Sequence, residues 1–243
     1  SYSDDVVKRL ASKKTAAKDF RLMWDNAYCV HHLYDEGDHI LHILTECKDN
    51  GNGNRVYMFT STSKVTFPGS GISMMAGSLM NMDHIREQMS FQTIGYSKIN
   101  QLMHAKFLPS THAIEDHMKK HAAIIRPKFD MVDDILTKEL GDLNIAKWNK
   151  PKGGYFISLD VHEGCAKEIV ALCKETGVML TAAGATYPYK KDPMDANIRI
   201  APTYPPIEEL EIAITVLAVS VKVVVLEHML DSWKSFEHVN RAV

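Results

Sequence analysis

Apolar and polar positions follow two different periods along this chain, and the alternation between them outlines the fold. After Ser3, residues 3–12 gather Val6, Val7 and Leu10 on one face and place Asp4 and Asp5 in the first turn, which predicts a short amphipathic helix capped by Ser3. Residues 20–24 and 56–59 are short apolar runs that read as buried strands, with a helical stretch at 41–47 and an Asn/Gly turn at 50–54 between them. Strands separated by helices predict a parallel α/β layer, to which residues 72–76 add a third strand. Residues 111–140 then hold a long helical period, with Pro127 expected to kink it and Gly141 to stop it. Strands are expected at 145–148, 155–159, 178–180 and 198–201, and helices at 165–176 and 207–233, with Pro206 opening the last. The whole is α/β, with a division expected at residues 108–111: a sheet layer over residues 1–108, then a long helix and an α+β module over residues 109–243.

Composition narrows the function classes. A chain of 243 residues with 45% hydrophobic and 24% charged residues has the make-up of an ordinary globular protein. Its net charge of -2 gives no electrostatic reason to expect nucleic acid or an anionic membrane as partner. The apolar run 212–226 is too short for a membrane span and carries Lys222, so it reads as a buried helix face. Cys29, Cys47, Cys165 and Cys173 form no C-x-x-C pair and no signal-peptide pattern opens the chain, which points to a reducing, cytoplasmic setting.

The chemistry concentrates where strands end. Lys64 closes the segment Thr60-Ser61-Thr62-Ser63-Lys64 after the apolar run 56–59. A lysine at the end of a buried strand is expected to shed its proton and become a nucleophile, because an unpaired buried ammonium is costly. Ser61 and Ser63 beside it suit a loop cap or a phosphate site. Asp25 and Tyr28 follow the first strand, and ligand sites of open α/β sheets gather at the carboxyl ends of strands. For each there is a plainer role: a solvated loop lysine, a helix N-cap for Asp25, a half-buried packing tyrosine, and a snorkelling edge-strand arginine at Arg199. His31, His32, Asp35, Asp38, His39 and His42 are dense in ligand types, but their spacing matches no tetrahedral metal motif and no metal is expected; His31 and His32 are expected to shape the wall of the pocket and the rest to be solvated.

In order, Asp25-Asn26-Ala27-Tyr28, Ser61-Thr62-Ser63-Lys64, Pro151-Lys152-Gly153-Gly154-Tyr155-Phe156 and Asn197-Ile198-Arg199-Ile200 resemble the motifs of the fold-type I pyridoxal phosphate (PLP) aminotransferases. The wording around Trp24 to His32 and Phe91 to Gly95 is most similar to the MocR-type, aspartate aminotransferase-like subgroup. The resemblance implies that Lys64 bonds the cofactor, Asp25 faces its ring nitrogen, Tyr28 its 3′ oxygen, and Ser61 and Ser63 its phosphate, while Arg199 binds the substrate α-carboxylate. It implies amino transfer between an amino acid, aspartate or similar, and a 2-oxo acid, in a homodimer. Another PLP reaction such as β-elimination, or an effector-sensing domain of a MocR-type regulator, are the alternatives. One departure follows Lys64: no arginine occurs before Arg86, where many relatives place one for the phosphate. The family's upstream strands and phosphate loop do not fit within residues 1–24, so this chain is expected to be the carboxyl-terminal part of a longer protein, with part of a mainly parallel large-domain sheet and the small domain, needing its amino-terminal half.

Overall fold

A computed structural model describes residues 2–241, with side chains through residue 234. The chain divides into two compact units, Ser1–His121 and Ala122–Val243. The first holds helices α1 (Asp4–Ser12) and α2 (Ile43–Asp49), and strands β1 (Leu22–Asp25), β2 (Val56–Ser61) and β3 (Ser73–Ala76). Ser3 caps α1 as the sequence predicts, its hydroxyl accepting from Val6 N at 3.4 Å. Val7 and Ala11 of α1 meet Ile43 and Cys47 of α2 and Val56 of β2 in a small core. Arg55 fixes the end of α1, donating to the carbonyls of Leu10 and Ala11 at 3.0 and 2.9 Å.

β1 and β2 pair in parallel, from Leu22↔Val56 to Asp25↔Phe59. β3 runs antiparallel to β2, from Met58↔Ala76 to Ser61↔Ser73, because residues 62–72 form a turn too short for a parallel crossover. Two further helices, α3 (Leu79–Gln92) and α4 (Lys98–Phe107), follow. The apolar residues of α3 do not fall on one face, and in α4 Ile99, Leu102 and Met103 share a face that is exposed, as are Leu79 and Phe91 of α3. Neither helix is anticipated from the sequence, although serines cap both: Ser78 and Ser97 accept from Asn81 N and Asn100 N.

Helix α5 (Thr111–Leu140) runs unbroken through Pro127 and carries the chain past the division at His121. That division lies beyond the stretch 108–111 because the first turns of α5 hold onto the first unit: His117 Nε2 lies 2.8 Å from the Val65 carbonyl oxygen. The second unit stacks β4 (Ala146–Trp148), β5 (Ile157–Val161) and β6 (Asn197–Ile200) in an antiparallel sheet, with α6 (Ala166–Glu175) and α7 (Ile207–Arg241). Its core includes Leu136, Leu159, Ile169, Ile198, Leu217 and Val221, all buried.

One expectation for this unit changes. Residues 178–180 are no strand: Val178 N donates to Cys173 O at 2.7 Å, closing the C-terminus of α6 around Gly177, whose φ is +92°. The run 212–226 is a helix with one buried face, as expected. Ile214, Leu217, Val221 and Val224 face inward, whereas Ile212, Val219, Val223 and Leu226 are exposed, as an apolar helix packed on one side only must leave them. Lys222 pairs with Glu139 of α5 at 2.6 Å. Among the described residues no helix is long and apolar enough to cross a membrane.

Candidate active site

Parallel pairing brings Asp25 and Lys64 to the same end of the sheet. Asp25 is the last residue of β1, and Lys64 sits in the turn immediately beyond β2, so both lie at carboxyl ends of adjacent parallel strands. Asn26 N donates to Phe59 O at 2.7 Å, and Thr60 Oγ1 donates to Asn26 O at 3.2 Å, which pins the loop after β1 onto β2. Asp25 is exposed, and its Oδ1 accepts from Ala27 N at 3.1 Å. This Asx turn replaces the helix N-cap considered for it, since no helix follows.

Tyr28 is half-buried, and the Lys64 amine lies over its ring, Nζ 4.8 Å from the centroid. Lys64 is itself exposed, so the premise of a buried lysine at a strand end does not hold. The strand stops at Ser61, and the hydrogen bonds from Val65 N and Thr66 N to Thr62 O fold residues 62–66 into a turn that directs the lysine outward. Ser61 and Ser63 are half-buried in the same segment. A side chain at Gly71 would place its Cβ 3.2 Å from Ser63 N and Ser63 Oγ, so the glycine keeps that approach open.

Sequence reasoning overlooked two of the side chains that hold this turn, His104 and His117. The buried His31 has Nε2 at 3.2 Å from the Lys64 carbonyl oxygen, and its ring stands edge-on to Tyr28 at 5.3 Å. Burial pushes His31 below the usual imidazole range, against the pull of its bond to the Lys64 carbonyl. Buried Thr62 and His104 meet at 2.9 Å, and His104 Nε2 also lies 2.8 Å from Thr66 Oγ1. A polar residue on an exposed-looking helix such as α4 gives no sequence sign of this inward role. His42 instead accepts from Thr45 N at 3.4 Å to cap α2. Among the described residues no group of three or more His, Cys, Asp and Glu is placed to hold a metal ion.

Arg199 lies in the second unit, on β6 opposite Ser158 of β5. Its guanidinium stacks over Phe156 at 4.6 Å and its Nη2 is 3.4 Å from Thr181 Oγ1. Its Nε is buried without a hydrogen-bond partner among the described residues, unlike the head group of a snorkelling edge arginine. Asn197 sets the position of β6, its Nδ2 donating to Ser158 Oγ and Asp160 Oδ1, each at 2.8 Å. The Asp192 carboxylate braces the approach, accepting from Met194 N, Ala196 N and Asn197 N at 3.0, 2.8 and 2.9 Å. Burial raises its pKa, but these amides outweigh it and hold the group below the usual carboxylate range. Gly154, at φ +81°, makes the turn that precedes β5.

An α/β unit with a lysine and an aspartate at the ends of parallel strands, followed by an antiparallel α+β unit bearing an arginine, fits the architecture of an aminotransferase. The sequence profile described as Aspartate amino-transferase matches residues 1–232, and the chain belongs to that family. It is 44% identical over 228 residues to the aspartate aminotransferase of Corynebacterium glutamicum, covering 94% of this chain and 53% of that protein. A solved structure of an aspartate transaminase from C. glutamicum superposes with a TM-score of 0.90 at 44% identity, covering 93% of this chain and 53% of that one. A more distant relative, the Bacillus subtilis HTH-type transcriptional regulator YdfD, is 23% identical over 171 residues, 70% of this chain and 34% of that protein. The chain thus spans about half the length of the aminotransferases it matches.

Proposed function

We propose that this chain supplies the lysine, the ring-facing carboxylate and the substrate-binding arginine of a PLP-dependent aminotransferase that moves an amino group from an amino acid, aspartate or a close analogue, to a 2-oxo acid. The observation that carries the reading is the Lys64 amine held 4.8 Å from the Tyr28 ring, beside the end of the strand that bears Asp25. The donor set fits the cofactor: an amine, a carboxylate, a phenol and the hydroxyls of Ser61 and Ser63 at one sheet end, with the approach to Ser63 kept open by Gly71. When bound, PLP supplies an aldehyde that exchanges amines and a ring that withdraws electrons while its nitrogen is protonated.

Asp25 would favour the proton on that ring nitrogen by setting a carboxylate against the cation. Tyr28 would donate to the 3′ oxygen, and Ser61 and Ser63 to the phosphate. Lys64 would hold the cofactor through its Nζ, and the same amine, when free, would be the base that takes the proton from the substrate Cα and gives it back. Arg199 pairs with the α-carboxylate, which would give its buried Nε–H an acceptor. A homodimer accords with the exposed Phe91, Ile94 and Tyr96, which form a segment suited to enter a neighbour's site. Four free thiols, three of them buried, suit a cytoplasmic setting.

The relation to YdfD keeps an effector-sensing domain as the second reading, but the 44% identity to an aspartate aminotransferase favours catalysis. The test is borohydride reduction of the full-length protein with PLP, followed by peptide mapping, beside transfer of labelled nitrogen from aspartate to 2-oxoglutarate. The cofactor should be found on Lys64 and the label in glutamate, and Lys64→Ala should lose both. An adduct that persists in Lys64→Ala removes Lys64 from the role, and cofactor bound at Lys64 with no transfer from any amino acid supports the sensing reading.

A further inference from the structure

The turn that carries Lys64 is gripped by imidazole rings from three separate parts of the first unit. His31 comes from the loop after β1, His104 from α4 and His117 from α5. His31 Nε2 lies 3.2 Å from the carbonyl oxygen of Lys64, and His117 Nε2 lies 2.8 Å from that of Val65. A carbonyl only accepts, so both rings carry their proton on Nε2 and donate to consecutive peptide groups. His104 is held in the opposite tautomer: its Nδ1 donates to Asn100 O at 2.8 Å, leaving its single Nε2 lone pair to accept from one of the hydroxyls of Thr62 and Thr66, which lie 2.9 and 2.8 Å away. Within residues 62–66 the rings therefore engage both flanks of the lysine and its own peptide.

We infer that His31, His104 and His117 are positioning residues, which fix the backbone of the Thr62 to Thr66 turn and thereby set where the Lys64 amine stands. This rests on the aminotransferase reading of Lys64. A lysine side chain has four rotatable bonds and an exposed head group, so its own contacts define its place poorly. What can be fixed is the peptide it hangs from, together with the neighbouring Tyr28 ring. His31 touches both, donating to the peptide and meeting Tyr28 edge-on. The three rings are donors or acceptors without bringing a carboxylate beside the lysine, which would draw its amine into an ion pair. His117 is steadied in turn by His121, whose Nε2 lies 3.1 Å from the same proton-bearing Nε2 of His117.

A glutamine amide nitrogen reaches about as far as an imidazole Nε2, whereas that of asparagine stops short, so the two amides separate a positioning hydrogen bond from simple space filling. In the full-length protein, His31→Leu with His117→Leu should speed hydrogen exchange at the Val65 and Thr66 amides by about tenfold, the scale of one lost hydrogen bond. The rate at which an amine-selective acylating reagent modifies Lys64 in the cofactor-free protein should change by a similar factor, while Lys98 and Lys106 react as before. With PLP bound, kcat should fall with KM little changed. His31→Gln with His117→Gln should restore all three. If the leucine pair does not fold, the asparagine pair takes its place and should resemble what leucine is expected to do. Unchanged exchange and labelling in a folded leucine or asparagine pair, or a glutamine pair no better than either, overturns the inference. Failure of the unaltered protein to take PLP on Lys64 would overturn the aminotransferase reading instead, and the exchange measurement would still decide whether the clamp exists.

Discussion

At Arg199 the surroundings already specify a planar cation: Phe156 stacks on one face of the guanidinium, Thr181 meets Nη2, and Nε is buried awaiting an acceptor. Arg199→Lys keeps the charge but loses the fork and the stacking. Its kcat/KM for amino acids should fall at least about tenfold while simple amines lacking a carboxylate are little affected; equal losses for both would make the arginine structural. Asp25 faces the opposite question, because its carboxylate already accepts from the Ala27 amide. Asp25→Ala should slow amino transfer by roughly a hundredfold or more, as removal of the charge on a protonated ring nitrogen would, with PLP still taken up. Turnover within a few-fold of the parent would reduce Asp25 to a turn residue. His31 carries a pH consequence. Burial first, then the nearby charges of His121 and Lys64, hold it below the ordinary value of 6.5, outweighing its bonds to the Lys64 and Tyr28 backbone. His121 is likewise lowered by burial and by His117. The unfolded chain therefore binds more protons than the folded one just below pH 6.5, so stability should drop as pH falls through that value and level off beneath the depressed folded pKa. Urea midpoints at about pH 7.5 and about pH 5.5 should show the loss, and His31→Gln should reduce it.

Among elements, those with a strong hydrophobic period or an apolar run were readable, and α3 and α4, whose apolar residues lie exposed, were not. Ser3 announces α1, the apolar runs announce β1 and β2, and the long period with Gly141 marks α5. The antiparallel direction of β3 depends on the length of the intervening turn, and the C-terminal motif of α6 absorbs residues that look like a strand. Asp25, Tyr28 and Lys64 could be singled out as candidates because they are local to strand ends. His104 and His117 could not, since the turn they hold is 38 residues distant for the Thr66 contact and 52 for the Val65 contact. The same kind of long-range polar tie joins α5 to the second sheet. Asp133 accepts from Trp148 Nε1 at 2.9 Å and from Lys150 Nζ at 2.7 Å. Burial raises its pKa, but those two donors together bring it below the usual carboxylate value. Asp133→Leu leaves the half-buried indole N–H without its acceptor, and should cost about 1–3 kcal/mol in urea unfolding. A loss under about 0.5 kcal/mol would show that water replaces the carboxylate there.

For the molecule as a whole, the decisive feature is how much apolar surface the chain leaves uncovered. In the first unit Leu79 is 82% exposed, Phe91 83% and Ile94 109%, while β1 and β3 are the outer strands of a three-stranded sheet. On α7 of the second unit, Ile212, Val219, Leu226 and Trp233 are all exposed and recur every seventh residue, with Val223 and Leu230 between them, which makes a continuous stripe of the kind that helices pair through. Surface of this extent and unpaired strand edges both favour association over a dispersed chain. The 243-residue chain made alone should therefore self-associate or stay loosely packed, unfold without a sharp transition, and take up PLP poorly. Light scattering across a concentration series, together with a thermal scan, measures this directly. Leu226→Lys with Trp233→Lys should lower the association, because both side chains are more than half exposed and their replacement removes apolar surface without opening the core. Ordered, monomeric behaviour with a sharp transition and one PLP bound per chain would show that the exposed stripe and strand edges are ordinary solvated surface, and that the chain needs no other polypeptide to fold.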